Sequence, residues 1–88
     1  MDCIITHHPE KKRFETTLEG VTAFVEYRLS GGKLDIIHTI VPPAIEGRGV
    51  AAALVKYAYD YALENGMKPL ATCPYAVVWL HRHPDYTK

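Results

Sequence analysis

The stretch Val41 to Val55, VPPAIEGRGVAAALV, constrains this chain more than any other. A hydrophobic run from Leu34 to Val41 reads as a strand, and the segment after the stretch opens reads as a long amphipathic helix. Pro42 and Pro43 end the strand, because neither can donate to a sheet ladder. Gly47 and Gly49 then bracket Arg48 just before the helix begins. A strand, a glycine turn and a helix N-terminus together make an anion site: the first-turn amides lack partners and the helix dipole adds partial positive charge. Glycine lets a phosphate approach the backbone, and Arg48 offers a charge-assisted contact. The same residues also suit a plain turn into a core helix, and spacing alone does not choose between the two. The P-loop motif is absent, and the glycines do not form a dinucleotide fingerprint.

Around that stretch the chain reads as a short α+β domain. Met1 to Thr6 is a short apolar patch suited to an edge strand, and His7 to Lys12, with Pro9, reads as a turn. Arg13 to Leu18 alternates, with Phe14, Thr16 and Leu18 on one side. Val21 to Leu29 alternates again, with Val21, Ala23, Val25 and Tyr27 on one face. Glu19-Gly20 and Ser30-Gly31-Gly32 are hairpin signals, so three antiparallel strands form a meander. The helix is predicted from about Arg48 to Asn65, with an apolar stripe of Val50, Leu54, Ala58 and Ala62 flanked by Ala51, Val55 and Tyr61. Lys56, Asp60 and Glu64 share a solvated face, and Asn65-Gly66 is a C-terminal stop. Met67 to Thr72 reads as a strand and Tyr75 to about Arg82 as a second helix, opened by Pro74 and closed by Pro84. A continuous strand through AVVWL is the alternative for that last segment.

The 88 residues allow one domain, spanning residues 1–88. Ten basic and ten acidic side chains cancel, which argues against nucleic-acid or anionic-membrane partners recruited by bulk charge. No apolar run reaches the length of a membrane span, and MDCIITHHPE lacks a signal-peptide core. Cys3 and Cys73 have no metal or redox spacing and are expected as free thiols in a reducing cytoplasm. Near-zero charge and an open strand edge are compatible with a monomer or a weak homodimer.

The central stretch resembles the coenzyme A pyrophosphate loop of the GNAT-type N-acetyltransferase superfamily. That signature is Gln or Arg, two variable residues, Gly, one variable residue, then Gly or Ala. Here it corresponds to Glu46-Gly47-Arg48-Gly49-Val50-Ala51, with Glu46 departing at the first position. The chain is most similar to the short, single-domain N-acetyltransferase-domain-containing type. The shared pattern is carried by His38-Thr39-Ile40-Val41-Pro42, Gly47 to Ala51, Cys73-Pro74-Tyr75 and His83-Pro84-Asp85-Tyr86, in order along nearly the whole chain.

The resemblance implies a minimal GNAT-like fold without the helical insertion and the final strand pair of fuller members. It implies acetyl-CoA as co-substrate and an amine, unidentified, as acetyl acceptor. Backbone amides of Arg48, Gly49, Val50, Ala51 and Ala52 would bind the pyrophosphate. The backbone at Ile40 and Val41 would pair with the pantetheine arm as an added strand does. Fuller members use a glutamate on this strand as general base; Ile40 cannot serve as one.

Cys73 precedes a helix whose dipole favours the thiolate, and the resemblance puts it near the acetyl thioester, so it is the candidate catalytic residue. A small buried hydrophobe is its competing role. His38 can accept a proton at neutral pH, but it shares a face with Leu34, Ile36 and Ile40 and is expected as a core histidine. His81 and His83 complete no metal-ligand spacing, so no metal is expected, and Trp79 is expected as a core anchor. Three readings follow: an N-acetyltransferase, a non-catalytic acyl-CoA-binding or interaction module, and a structural module whose glycine turn binds nothing.

Overall fold

The computed structural model describes residues 4–87. Five strands form one sheet in the order β1 (Thr6–His8), β2 (Arg13–Leu18), β3 (Val21–Ser30), β4 (Lys33–Ile40) and β5 (Lys68–Ala71). Neighbours are antiparallel except β4 and β5, which run parallel. Parallel neighbours need a crossover, supplied here by α1 (Val50–Glu64). Helix α2 (Pro74–Arg82) follows β5, and short 3₁₀ turns occupy Pro43–Ile45 and Pro84–Thr87. The α+β architecture expected from the sequence is therefore the one observed, and the AVVWL segment is helical.

The edges of the prediction shift. The expected strand at Met1–Thr6 lies partly, and Cys3 wholly, outside the described residues, among which pairing begins at Thr6. His7 and His8, read as turn, belong to β1 because the His7 ring stacks on Phe14 at 4.1 Å and bonds the Tyr27 hydroxyl at 2.6 Å. Both 3₁₀ turns lack a period that a sequence reading can detect.

One sheet face is buried. Phe14, Ala23, Val25, Leu34 and Ile36 project onto it and meet Leu54, Val55, Ala58 and Tyr59 of α1, all fully enclosed. Burying one such leucine contributes about 1.5–3 kcal/mol. Tyr59 is in this core, although the expected stripe omitted it; its hydroxyl donates to the Leu70 carbonyl at 2.7 Å, which satisfies the polar end. Helix α1 ends as Asn65-Gly66 dictates: Met67 N–H reaches Ala62 O at 2.8 Å and Gly66 N–H reaches Leu63 O at 3.2 Å. Trp79 is buried, as expected, between Tyr59 and the His83 ring, the latter stacked 3.9 Å away.

The second face carries no helix. Cross-strand charge pairs cover it, including Arg28 with Asp35 at 3.1 Å and Arg13 with Glu26 at 3.8 Å. At the outer edge, the Lys68 and Thr72 amides bond the Gly32 and Ile36 carbonyls, so the backbone nitrogen of the buried Pro69 is turned away from β4, where proline has no N–H to offer. Pro69 blunts this edge against further strand pairing.

One expectation is corrected. His38 is exposed rather than a core histidine. The register steps from Glu26↔His38 to Tyr27↔Ile36, so Ile37 is an extra residue on β4. Such a bulge exchanges the two faces beyond it. Leu34 and Ile36 face the core before it; after it Thr39 opposes Val25 on the core side, while His38 and Ile40 turn to the helix-free face.

Candidate functional site

The pairing of β4 with β5 ends where the bulge begins. Their register runs from Lys33↔Lys68 to Ile36↔Ala71 and stops, whereas β4 continues to Ile40. The amides of Thr72 and Cys73 both donate to the Ile36 carbonyl at 3.0 Å, which marks the point of parting. Beyond it, one wall of the opening is the tail of β4 and the other is the N-terminus of α2. Backbone on this inner edge of β4 has lost its strand neighbour and is geometrically suited to an extended ligand.

The N-terminus of α1 closes the far end. Gly47 (φ 80°) and Gly49 (φ 75°) both adopt left-handed conformations, which let the chain leave the Pro43–Ile45 turn and enter the helix within a few residues. Gly49 is the helix cap; no side chain caps the first turn, and no acidic residue lies in it. The leading amides and the positive end of the dipole are thus left for an anion.

Between these walls lies a cavity of about 420 Å³, lined by Thr39, Val41, Glu46, Gly47, Gly49, Val50, Ala51, Ala52 and Tyr75. Cys73 sits just behind it, 7% exposed, and its thiol donates to the Thr39 hydroxyl at 3.4 Å. Burial pushes the thiol pKa up, but the Thr39 hydroxyl and the amides of Ala76 and Tyr75 outweigh it, leaving Cys73 below an ordinary cysteine. Those amides point at the sulfur without completing a capping hydrogen bond. Tyr75 stands two residues on, its phenol pushed up by burial and partly offset by Arg82, so it stays protonated at neutral pH and can donate.

Most of the residues expected from the sequence meet here. Val41, Gly49, Val50, Ala51 and Ala52 line the cavity. Ile40 is not in the lining; its side chain is on the helix-free face and 46% exposed. Arg48 is directed away from the cavity into an ion pair with Glu19 of the β2–β3 turn. Glu46 is therefore the charged side chain in the cavity lining. Thr39 and Tyr75 were not among the expected site residues; Tyr75 was signalled by the Cys-Pro-Tyr pattern, whereas Thr39 reached the core face only through the bulge.

A five-stranded mixed sheet, a parallel pair that parts, and a glycine turn feeding an uncapped helix define a GNAT-like α+β fold. The family model described as GCN5-related N-acetyl-transferase matches residues 13–88, and the chain belongs to that family. Among curated relatives, protein NATD1 of Xenopus tropicalis is 34% identical over 83 residues, covering 91% of this chain and 76% of the relative. The Danio rerio protein NATD1 is 33% identical, covering 93% and 79%. A GCN5-like N-acetyltransferase candidate from Staphylococcus aureus, solved in solution, superposes with a TM-score of 0.74 at 26% identity, covering 94% of this chain and 82% of that one. No helix among the described residues is long and apolar enough to cross a membrane.

Proposed function

We propose that this protein binds acetyl-CoA and transfers its acetyl group to a primary amine. The observation that carries this reading is the opening where β4 and β5 separate, lined by the Gly47–Ala52 turn, Thr39 and Tyr75, with Cys73 bonded to Thr39 behind it. A pyrophosphate on the α1 amides and a pantetheine arm along Ile40 and Val41 would bring the thioester toward Thr39 and Cys73. The amine nitrogen attacks the thioester carbonyl carbon and loses its proton to solvent. The carbon–sulfur bond then breaks, and the departing thiolate takes a proton from Tyr75 or Cys73. Alternatively, the Cys73 thiolate accepts the acetyl group first and passes it to the amine. A reducing compartment, for which we propose the cytoplasm, keeps Cys73 as the free thiol that either route uses.

A second reading is a non-catalytic acyl-CoA-binding module. The observation favouring it is that Glu46, at the pyrophosphate end, is the carboxylate of the cavity lining, while Ile40 stands on the strand where fuller members of the family carry a base. Steady-state release of free coenzyme A with a panel of amines separates the two. Turnover above the uncatalysed rate establishes the transferase, and binding without turnover establishes the module. An unchanged melting temperature with excess acetyl-CoA rejects both.

A further inference from the structure

We propose that a second cavity, between α1 and α2, recognises the 3′-phosphate on the ribose of the bound coenzyme; the inference rests on the acyl-CoA reading above. This cavity, of about 360 Å³, is walled by Lys56, Trp79, Arg82 and His83. Ala52 and Tyr75 line it as well as the first cavity, so the two adjoin. A ligand seated on the α1 amides has this space directly ahead of its nucleotide end.

Charge makes the case. A coenzyme A molecule carries a pyrophosphate and a ribose phosphate, yet the first cavity offers it one ionisable carboxylate, Glu46, while Arg48 is engaged with Glu19. The second cavity's lining instead includes two cationic groups, Arg82 and Lys56, the latter shared with the Asp60 carboxylate just outside the lining. Lys56 follows Ala52 by one turn, about 6 Å along the axis. Its ammonium bonds Asp60, one turn further along the helix, while the residue lines the cavity together with Ala52. Asp60 at 2.7 Å and the Tyr86 hydroxyl occupy two of the ammonium's three donors and steady the group, leaving one for a phosphate. Arg82 approaches from the last turn of α2. His83, stacked on Trp79 with an interplanar angle of 13° and held by its Nδ1–H to the Trp79 carbonyl at 2.8 Å, adds a flat surface suited to a purine.

The test is calorimetry with coenzyme A and 3′-dephospho-coenzyme A, on the natural protein and on the Lys56→Gln/Arg82→Gln double variant. The natural protein is expected to prefer coenzyme A about tenfold at low salt, as one to two charge-assisted phosphate contacts provide. That preference should shrink as salt rises. The double variant should bind both ligands alike, with the affinity of the natural protein for the dephospho form. Equal affinities in the natural protein overturn the inference while leaving the acyl-CoA reading standing; no binding of either ligand to the natural protein removes both. Should the double variant fail to fold, amide shifts of the natural protein decide the matter. Adenosine 3′,5′-bisphosphate must move Lys56, Arg82 and His83, and adenosine 5′-monophosphate must not; identical responses to the two overturn the proposal.

Discussion

The Cys73 thiol donates to the Thr39 hydroxyl at 3.4 Å, bridging the strand and the helix that form the two sides of the β4–β5 opening. Neither residue's neighbours in sequence announce this contact, and it places a sulfur with a lowered pKa behind the cavity wall.

If Cys73 takes part in the chemistry, Cys73→Ala lowers turnover by about 10²-fold or more, the scale of a lost acid–base group, and leaves coenzyme A affinity within about twofold. Mass spectrometry of the natural protein distinguishes a carrier, which leaves an acetyl adduct, from a proton donor, which leaves none. Full turnover in Cys73→Ala, with thiol alkylation equally fast with and without acetyl-CoA, reduces Cys73 to packing.

Gly49→Val tests the anion turn. A β-carbon there meets nothing of the protein within 4 Å, so the cost to the fold comes from the left-handed backbone at φ +75°, on the order of 1–3 kcal/mol. The same side chain projects beside the leading amides and is expected to weaken coenzyme A binding beyond that loss of stability. Calorimetry on a folded variant with native circular dichroism checks this; unaltered affinity rules the turn out as the phosphate site.

Glu46 lines the cavity without a basic partner among the described ion pairs. Glu46→Gln is therefore expected to tighten coenzyme A binding by a few-fold at low ionic strength and by less at high salt, since screening removes the repulsion that the substitution relieves. Weaker binding in the variant would mean that the carboxylate orients the turn instead.

Stability should fall on mild acidification through His7. Burial lowers its pKa, against a smaller raising effect of Glu10 and a lowering one from His8. The folded state then holds the proton less readily than the unfolded chain, so the contribution is present above the ordinary histidine value near 6.5 and is lost as pH falls through the lower folded value. Melting temperatures between about pH 7.5 and pH 5 should fall more steeply for the natural protein than for His7→Phe. Parallel slopes would assign the acid sensitivity to other groups.

The strand faces of Phe14 to Leu18 and Val21 to Tyr27, the helix of Val50 to Glu64 and its stop at Asn65-Gly66 were legible because each follows from a local period or turn residue. The glycine turn was legible for the same reason: Gly47 and Gly49 occupy conformations that other residues resist. What only the tertiary structure decided depends on partners distant in sequence. Whether Ile37 sits in the ladder or outside it depends on how β3 pairs with β4, and that one displaced residue sends His38 to the surface and Thr39 to Cys73. Likewise Arg48, beside the glycines in sequence, is committed to Glu19 by the meeting of two turns, and the basic side chains of the adjoining cavity come from Lys56 and Arg82 on separate helices. A local pattern states which face a residue can occupy; a bulge or a turn packed from elsewhere in the chain decides which face it does occupy.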